Sequence, residues 1–450
     1  VKHLPPITMP NPDLLREELI QIVGRNGLLS NDQHKDYRVD GFVPTAVALP
    51  VSVQQIQELL VFAADRELSV IPAGNGTKLG IGNPPRKVDL VLSTRRLNSM
   101  IEYEPADLTV TVQAGMRLAH LQEQLSENGQ FLPLDPAYVS LATVGGIAAT
   151  NASGPLRMRH GTPRNQVLGM RVIRSDGTLV KSGGRVVKNV SGYDLNKLYI
   201  GSFGTLGIIT ELTFKLYPLA ESGVTMLLRF NRFEDATKTA SDITSSQLLP
   251  SYLNLFINGV PDTRVLEPSL VVGLDAQPKA TTWQRNQVQW IAKQNGVIGV
   301  EIIQEQQAAK LAEAMRAFTQ ADPSRRVIVC KVNLRMSDIE EYIGTALDVT
   351  GNLPCSVRVM GLMGTGQVYF VLSEFADAVK PRMIASTLVE LRKHASNVGG
   401  NLILETAPVE VKRDIDVWGS VGSGAEIMKK IKIQFDPGRL LNPGRFADGI

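Results

Sequence analysis

The chain has 450 residues, 43% of them hydrophobic, which is enough for two or three domains with large cores. Lys and Arg number 47 and Asp and Glu 44, so the net charge of +3 gives no electrostatic indication of nucleic-acid or anionic-membrane binding. The two cysteines, Cys330 and Cys355, show no CxxC spacing, which excludes an iron–sulfur cluster or structural zinc held by cysteine alone.

The first residues, VKHLPPITMPNPD, lack the apolar run of a signal peptide, and no run of about 20 apolar residues could cross a bilayer. We therefore expect a cytoplasmic protein. Docking on a membrane-associated partner is left open by the sequence.

The first half predicts a lead-in followed by an α/β domain. Residues 1–45 are irregular and rich in proline, with one short helix pattern that ends at Gly24. Residues 46–220 alternate short strand patterns with helices and glycine-rich loops, and Ser52 with Gln55 indicates the start of one helix. The segment 167–183 predicts a β-hairpin that turns at Asp176-Gly177.

The second half predicts a separate α+β domain over residues 221–425. Strand and helix patterns follow the order βαββαβ from 224 to 303, and the same order returns from 327 to 404 after a helical connection. Two such ferredoxin-like units side by side predict one extended antiparallel sheet. The remaining segment, 426–450, contains two Pro-Gly turns in IKIQFDPGRLLNPGRF and predicts a loop rather than a long helix.

Three glycine clusters in the first domain are candidate cofactor-binding loops. They are AGNGTKLG at 73–80, TVGGIAATNASGP at 143–155 and GSFGTLGIIT at 201–210. Glycines permit positive φ, so that successive N–H groups can turn inward and hold an anion. The spacing fits neither a Rossmann nor a Walker motif. Taken singly, each cluster is also explained by a plain turn or a tightly packed helix start, but a long anionic cofactor with a planar ring needs several such surfaces together.

Around these residues the sequence resembles the FAD-binding PCMH-type (vanillyl-alcohol-oxidase) superfamily. The likeness covers residues 45–218 and the C-terminal FDPGRLLNPGRF. Within it, the motifs SGP at 153–155, RNQVLG at 164–169, GGRVVKNVSGYDL at 183–195 and GSFGTLG at 201–207 are most similar to glycolate dehydrogenase (glycolate oxidase) flavoproteins, in particular the smaller FAD-binding subunit. The implied fold is a two-subdomain FAD domain over 46–220, an α+β cap over 221–425, and a segment over 426–450 that returns to the FAD domain.

The resemblance implies a set of FAD-binding residues. The pyrophosphate would be held by Ala73, Gly74, Asn75, Gly76, Thr77 and Lys78. The ribityl chain and the pyrimidine side of the flavin would be lined by Pro133, Asp135, Thr143, Val144, Gly145, Gly146, Ala149, Thr150 and Asn151. Gly154 and Arg159 would follow along the cofactor, Asn442 would return to the flavin, and the adenine would be enclosed by Val167, Gly207, Ile208 and Ile209.

Two departures from the family pattern affect the chemistry. Relatives with covalent FAD attach it through a histidine in the first loop or a cysteine in the second, whereas this chain has Asn75 and no cysteine there. We therefore expect non-covalent FAD. Catalytic relatives also carry a metal motif of the type H-x-G-D-G-N in the second domain. This chain has five histidines, none at metal-ligand spacing, so we expect no metal site. His160 is interpreted as a partly exposed structural residue.

Three functional hypotheses follow. The first is a FAD-binding subunit of a glycolate-dehydrogenase-like complex, with an electron-relay or assembly role beside a catalytic flavoprotein and an iron–sulfur subunit. The second is a self-sufficient FAD-dependent 2-hydroxy-acid dehydrogenase, in which Arg358 or Tyr369 could bind the substrate carboxylate. The third is a flavin-free scaffold, against which the intact glycine loops count. No catalytic residue is identified from the sequence.

Overall fold

The computed structural model describes residues 12–184, 193–322 and 325–450. Most of the quoted GGRVVKNVSGYDL motif lies outside these residues. In the described part of the chain the strands form four sheets. No helix there is long and apolar enough to cross a membrane.

A small parallel sheet opens the first domain. Its strands, in the order β1-β3-β2, are β1 (Ala46–Ala48), β2 (Val70–Ala73) and β3 (Leu90–Ser93). The helices packed on it are α1 (Pro12–Val23) and α2 (Val53–Asp65). The α2 helix begins as the sequence predicts, because the Ser52 side chain accepts a hydrogen bond from the Gln55 N–H.

A five-stranded antiparallel sheet completes the domain, in the order β4-β5-β9-β7-β8. Its strands are β4 (Met100–Glu104), β5 (Thr109–Gln113), β7 (Val167–Ile173), β8 (Leu179–Gly183) and β9 (Ile208–Lys215). Two short strands, β6 (Gln130–Phe131) and β10 (Tyr217–Pro218), pair separately. The associated helices are α3 (Leu118–Ser126), α4 (Val144–Thr150), α5 (Arg157–His160), α6 (Pro163–Gln166) and α7 (Asn196–Tyr199). The predicted β7–β8 hairpin is confirmed, with Gly177 at φ +80° in its turn.

The second domain is built on an eight-stranded sheet. Its strands are β11 (Ser222–Arg229), β12 (Tyr252–Ile257), β13 (Ser269–Ala276), β14 (Gly299–Ile303), β15 (Ile328–Asn333), β16 (Ser356–Leu362), β17 (Gln367–Ser373) and β18 (Asn401–Thr406). Its helices are α8 (Phe233–Thr244), α9 (Pro278–Gln294), α10 (Glu305–Arg316), α11 (Ile339–Gly351) and α12 (Pro381–Asn397). The order β14-β11-β13-β12-β16-β17-β15-β18 consists of two ferredoxin-like units joined by the antiparallel β12–β16 pair, so the predicted α+β class and sheet are confirmed.

The two faces of this sheet have different neighbours. Cys330, Phe370 and Leu404 point into the large core that the sheet forms with its helices. Because side chains alternate along a strand, Lys331 and Tyr369 point to the opposite face. A bulge in the β15–β18 pairing inserts Glu405 between the partners of Val329 and Cys330, and a bulge is a common means of redirecting one side chain.

The C-terminal segment differs from the loop that the sequence predicts. A short helix, α13 (Val409–Lys412), precedes α14 (Ala425–Phe435), which includes the IKIQF residues. This prediction was wrong because the helix is completed by tertiary contacts: Phe435 and Ile431 pack on the core of the first domain. The chain then returns to the parallel sheet, where Leu441 forms a bridge with Val70.

Candidate functional site

A cleft lies where the glycine clusters of the first domain meet the C-terminal segment. It is lined by residues from all three predicted loops. The predicted residues that the structure brings together here are Ala73, Gly74, Asn75, Gly76, Thr77, Lys78, Thr143, Gly145, Gly146, Ala149, Thr150, Gly207, Ile208, Ile209 and Asn442.

The first loop presents free hydrogen-bond donors. Gly76 has φ +80°, in the left-handed region that glycine adopts without strain. Within the described residues, the backbone N–H groups from Asn75 to Lys78 donate no hydrogen bond, although they are only partly exposed. Partly buried N–H groups are costly to leave unpaired, so this loop is suited to an anion such as a pyrophosphate.

Glycines at the points of contact let the loops pack closely against their neighbours. A Cβ on Gly74 would lie 2.0 Å from Oγ1 of Thr143, and a Cβ on Gly207 would lie 2.5 Å from Cγ1 of Val172. Gly204 has φ +68°, and a Cβ there would lie 3.1 Å from Cγ of Pro72. The three loops therefore form narrow backbone walls, which a flat ring and a thin ribityl chain can fill.

The C-terminal segment holds two of these loops in place. Asn442 Nδ2 donates to the Phe203 carbonyl over 2.5 Å, and the Arg445 guanidinium donates to the carbonyls of Leu79 and Ile81. Burial lowers the pKa of Arg445 to about 10, while the Asp40 carboxylate acts in the opposite direction. The sequence singled out Asn442 but missed Arg445, because a lone arginine after a turn does not differ from a surface residue.

A buried ion pair supports the same connection. Lys432 Nζ lies 2.7 Å from Oδ2 of Asp436 and also donates to the carbonyls of Thr205 and Leu441, both over 2.8 Å. The two side chains are 5% and 0% exposed. Because these charges are paired and fully hydrogen-bonded, they tie the third loop rigidly to the C-terminal segment.

Several predicted residues lie away from the cleft. They are Pro133, Asp135, Val144, Asn151, Gly154, Arg159 and Val167. Val144 and Val167 pack in the core of the first domain. Arg159 Nη1 donates to Ser251 Oγ over 3.4 Å and to the Asp275 carbonyl, both in the second domain. The contact of these residues with FAD stays a prediction.

Asp135 is fully buried beneath the SGP motif. Its two carboxylate oxygens accept the N–H groups of Gly154 and Leu156 over 3.0 and 2.8 Å. Burial raises the pKa of this carboxyl to about 7, against the lowering effect of these hydrogen bonds. A Cβ on Gly154 would lie 2.0 Å from the Asp135 carbonyl oxygen, so the SGP glycine is explained by this close packing.

A second chamber adjoins the cleft and shares Lys78, Thr150 and Phe203 with it. Asn151 lines this chamber, and its Oδ1 is buried without a hydrogen-bond partner among the described residues. The far wall is formed by Lys331 and Glu405 of the second domain, together with Tyr369. The chamber therefore lies between the two domains.

The chamber wall carries excess positive charge. Glu405 lies 3.7 Å from both Lys78 Nζ and Lys331 Nζ. Burial alone would raise the pKa of Glu405, but the two lysine charges outweigh it and hold that pKa below its usual value. Burial lowers the pKa of Lys331, an effect that Glu405 opposes. Arg157 stands nearby and donates to Gln367 Oε1 over 2.5 Å. The two lysines that line the chamber face one carboxylate, and this excess of positive charge favours a small anion.

Of the substrate-binding candidates weighed from the sequence, only Tyr369 lines the chamber, where burial raises its pKa well above the usual range. The Arg358 guanidinium instead lies over the Phe318 ring, 5.2 Å from its centroid. His160 is half-buried, with edge-on contacts to the rings of Phe131 and Tyr217. No group of His, Cys, Asp and Glu side chains in the described segments could hold a metal ion.

An aromatic cluster lines part of the cleft. Phe203, Trp418 and Phe446 pack together with ring centroids 4.7–5.4 Å apart. The sequence reasoning missed it because its members come from three distant segments. Free N–H donors, narrow glycine walls and this apolar cluster together fit a cofactor with a pyrophosphate and a planar ring, as the resemblance implies.

Similarity to known protein families also indicates an FAD site. Residues 44–183 match the family model described as "FAD binding domain", and residues 219–446 match "FAD linked oxidases, C-terminal domain". The chain is 28% identical to "Glycolate oxidase subunit GlcD" of Bacillus subtilis (strain 168), over 96% of each chain. It is 25% identical to a D-lactate dehydrogenase of Anaerostipes hadrus, over 97% of each chain.

The fold also has relatives among solved structures. An alkyldihydroxyacetonephosphate synthase matches 99% of this chain and 87% of its own, with a TM-score of 0.77 and 17% sequence identity. At this identity the match establishes the fold alone.

Proposed function

Because this chain belongs to the FAD-linked oxidases, we propose that it is the FAD-carrying subunit of a complex that oxidises a small 2-hydroxy acid. The observation that carries the proposal is the glycine-walled cleft, whose unpaired N–H groups from Asn75 to Lys78 adjoin the cationic chamber between the domains. The relative of Bacillus subtilis, named as a glycolate oxidase subunit, supports the assignment to a complex.

Different residues of the chain would bind FAD and hold the binding loop in place. The first loop would hold the pyrophosphate through its N–H groups, and Arg445 would hold that loop through Leu79 and Ile81. When bound, FAD supplies a ring that can take up electrons from the catalytic flavoprotein and pass them on.

The complex would need an iron–sulfur relay on another chain. Cys330 is fully buried in the core of the second domain, and Cys355 is partly buried against the same core; both are free thiols. These two residues do not provide the four ligands of a cluster. The proposal therefore includes a cysteine-rich iron–sulfur subunit and a second, catalytic flavoprotein.

A second candidate function is favoured by the cationic chamber. Lys78, Lys331 and Glu405 come from both domains and meet at one wall, which is the arrangement expected of a substrate site. In this alternative the chain oxidises a 2-hydroxy acid by itself, and the substrate carboxylate binds the lysines in place of part of the Glu405 contact.

Absorption spectroscopy on the purified chain separates these possibilities. If the subunit proposal is correct, the purified chain shows flavin bands that anaerobic glycolate or D-lactate does not bleach. When the chain is isolated from its native cells, the iron–sulfur subunit should co-purify and contribute iron in stoichiometric amounts. Bleaching at a catalytic rate by the isolated chain would overturn it in favour of the self-sufficient enzyme. Absence of flavin after reconstitution with FAD would leave the scaffold hypothesis.

If the isolated chain proves active, Lys331→Met tests the chamber. Loss of a charge-assisted hydrogen bond, worth about 1.5–3 kcal/mol, is expected to raise KM by roughly ten- to a hundredfold with a smaller change in kcat. Lys181→Met, at an exposed position on β8, is the matched control. An equal change of KM in both variants would contradict the hypothesis that the chamber binds the substrate.

A further inference from the structure

A wide groove on the first domain carries a concentration of positive charge that the proposed function does not use. It is lined by Arg95, Arg96, Arg117 and His120, and we call it the basic groove. Of the ten described residues lining it, none is acidic; Glu123 lies at its edge, 3.5 Å from the His120 ring. Because the whole chain has a net charge of only +3, this density is local rather than a property of the surface.

The basic groove lies directly behind the wall of the FAD cleft. Asn75 lines both, and its side chain donates to the Leu141 carbonyl over 2.8 Å. Arg95 follows Thr94, a cleft residue, and the Arg117 backbone pairs with that of Thr143, another cleft residue. The groove and the cleft are therefore separated by a single layer of residues.

Exposed apolar side chains accompany the arginines. Leu141 is 50% and Val51 46% exposed, and both line the groove. Arginine beside exposed apolar residues is typical of protein interfaces, whereas sites for nucleic acid or free phosphate are more uniformly polar. A flavoprotein that relays electrons must also meet a partner that removes them.

We propose that the basic groove is the docking surface for an acidic electron-transfer protein that reoxidises the FAD. This inference rests on the proposed electron-relay function. Each reduced flavin holds two electrons, so two equivalents of a one-electron acceptor are reduced, the flavin returns to its oxidised form and its protons pass to solvent. Complexes between electron-transfer proteins have small interfaces, and their rate of association depends strongly on complementary charge.

Binding is tested first, without electron transfer. The FAD-loaded protein is titrated calorimetrically with a zinc-substituted, redox-silent acidic blue-copper protein. We expect binding that weakens about tenfold when ionic strength rises from about 20 to about 300 mM, because exposed charges are then screened. The double variant R96Q/R117Q is expected to weaken it roughly fivefold at low salt. The control R382Q/K393Q removes the same charge from the exposed side of α12 and should have no effect.

Rates are tested second. After anaerobic photoreduction of the flavin, stopped-flow mixing with the copper form should show two copper(II) ions reduced per flavin, with a rate that falls in R96Q/R117Q. Reoxidation by a basic c-type cytochrome should not fall in that variant. Equal loss in both double variants, salt-independent binding, or a tighter arginine-dependent binding of DNA or anionic vesicles would overturn the docking proposal. A protein that does not bind FAD would instead contradict the proposed function, and the same titration of the apoprotein would still test the basic groove.

Discussion

The left-handed backbone at Gly76 makes one substitution decisive for cofactor binding. In Gly76→Val, a β-branched side chain must adopt φ near +80°, and its Cβ would lie 3.3 Å from Cδ1 of Leu79. Such backbone strain costs of order 1–3 kcal/mol. The loop can relieve it by rotating, but rotation turns the N–H groups of Gly76 and Thr77 away from the cleft.

The loss of affinity follows from those donors. Each hydrogen bond to a charged group contributes about 1.5–3 kcal/mol, so the loss of two corresponds to roughly 3–6 kcal/mol. At about 1.4 kcal/mol per tenfold change, the Kd for FAD should rise by at least a hundredfold. The unfolding free energy of the apoprotein should fall by no more than the strain itself.

The assay is titration of apoprotein with FAD, followed by quenching of flavin fluorescence and checked by thermal unfolding without FAD. Gly80→Ala is the matched control, because a Cβ at Gly80 has nothing within 4 Å and its φ is not in the left-handed region. A folded Gly76→Val protein whose Kd for FAD stays within twofold of wild type would refute the pyrophosphate assignment of this loop.

Three further predictions concern other parts of the site. The folded-state pKa of Asp135 is about 7, above its unfolded value near 3.9, so unfolding releases a proton between about pH 4 and pH 7. The unfolding free energy of the wild type should therefore fall by roughly 4 kcal/mol over that range relative to that of Asp135→Asn. Chemical denaturation at several pH values measures this difference. Arg445→Met leaves the carbonyls of Leu79 and Ile81 without their donor and should cost about 2–5 kcal/mol of stability together with a tenfold or greater loss of FAD affinity; an unchanged melting temperature and Kd would contradict this. Since Asn75 stands where covalent relatives have an attachment residue, acid precipitation should release all the flavin into the supernatant, and flavin retained in the pellet would show a covalent bond.

The arrangement of the second domain could be predicted because its signals are local. Each strand is a short apolar run, each helix has an apolar stripe, and the order βαββαβ restricts the sheet to few topologies. The glycine loops could be predicted for the same reason, since positive φ at Gly76 and Gly204 is a property of the chain near those residues.

The chamber and the C-terminal connection could not be predicted in this way. Glu405 reaches the chamber because a bulge redirects it, and it meets Lys78 across 327 positions of sequence. The IKIQF residues are helical because they pack on a core formed 200 or more residues earlier. Such contacts depend on how the two domains fit together, on which local periodicity carries no information.

The connection through Arg445 also sets the order in which the protein can acquire its cofactor during biosynthesis. The guanidinium that holds the Leu79 carbonyl is translated 366 residues after it. At a translation rate of about 5–20 residues per second, the first loop is therefore synthesised roughly 20–70 s before Arg445, whose hydrogen bonds hold it. FAD should thus be captured after translation rather than during it, and a nascent chain arrested before Lys432 should neither bind the cofactor nor resist proteolysis at the loop.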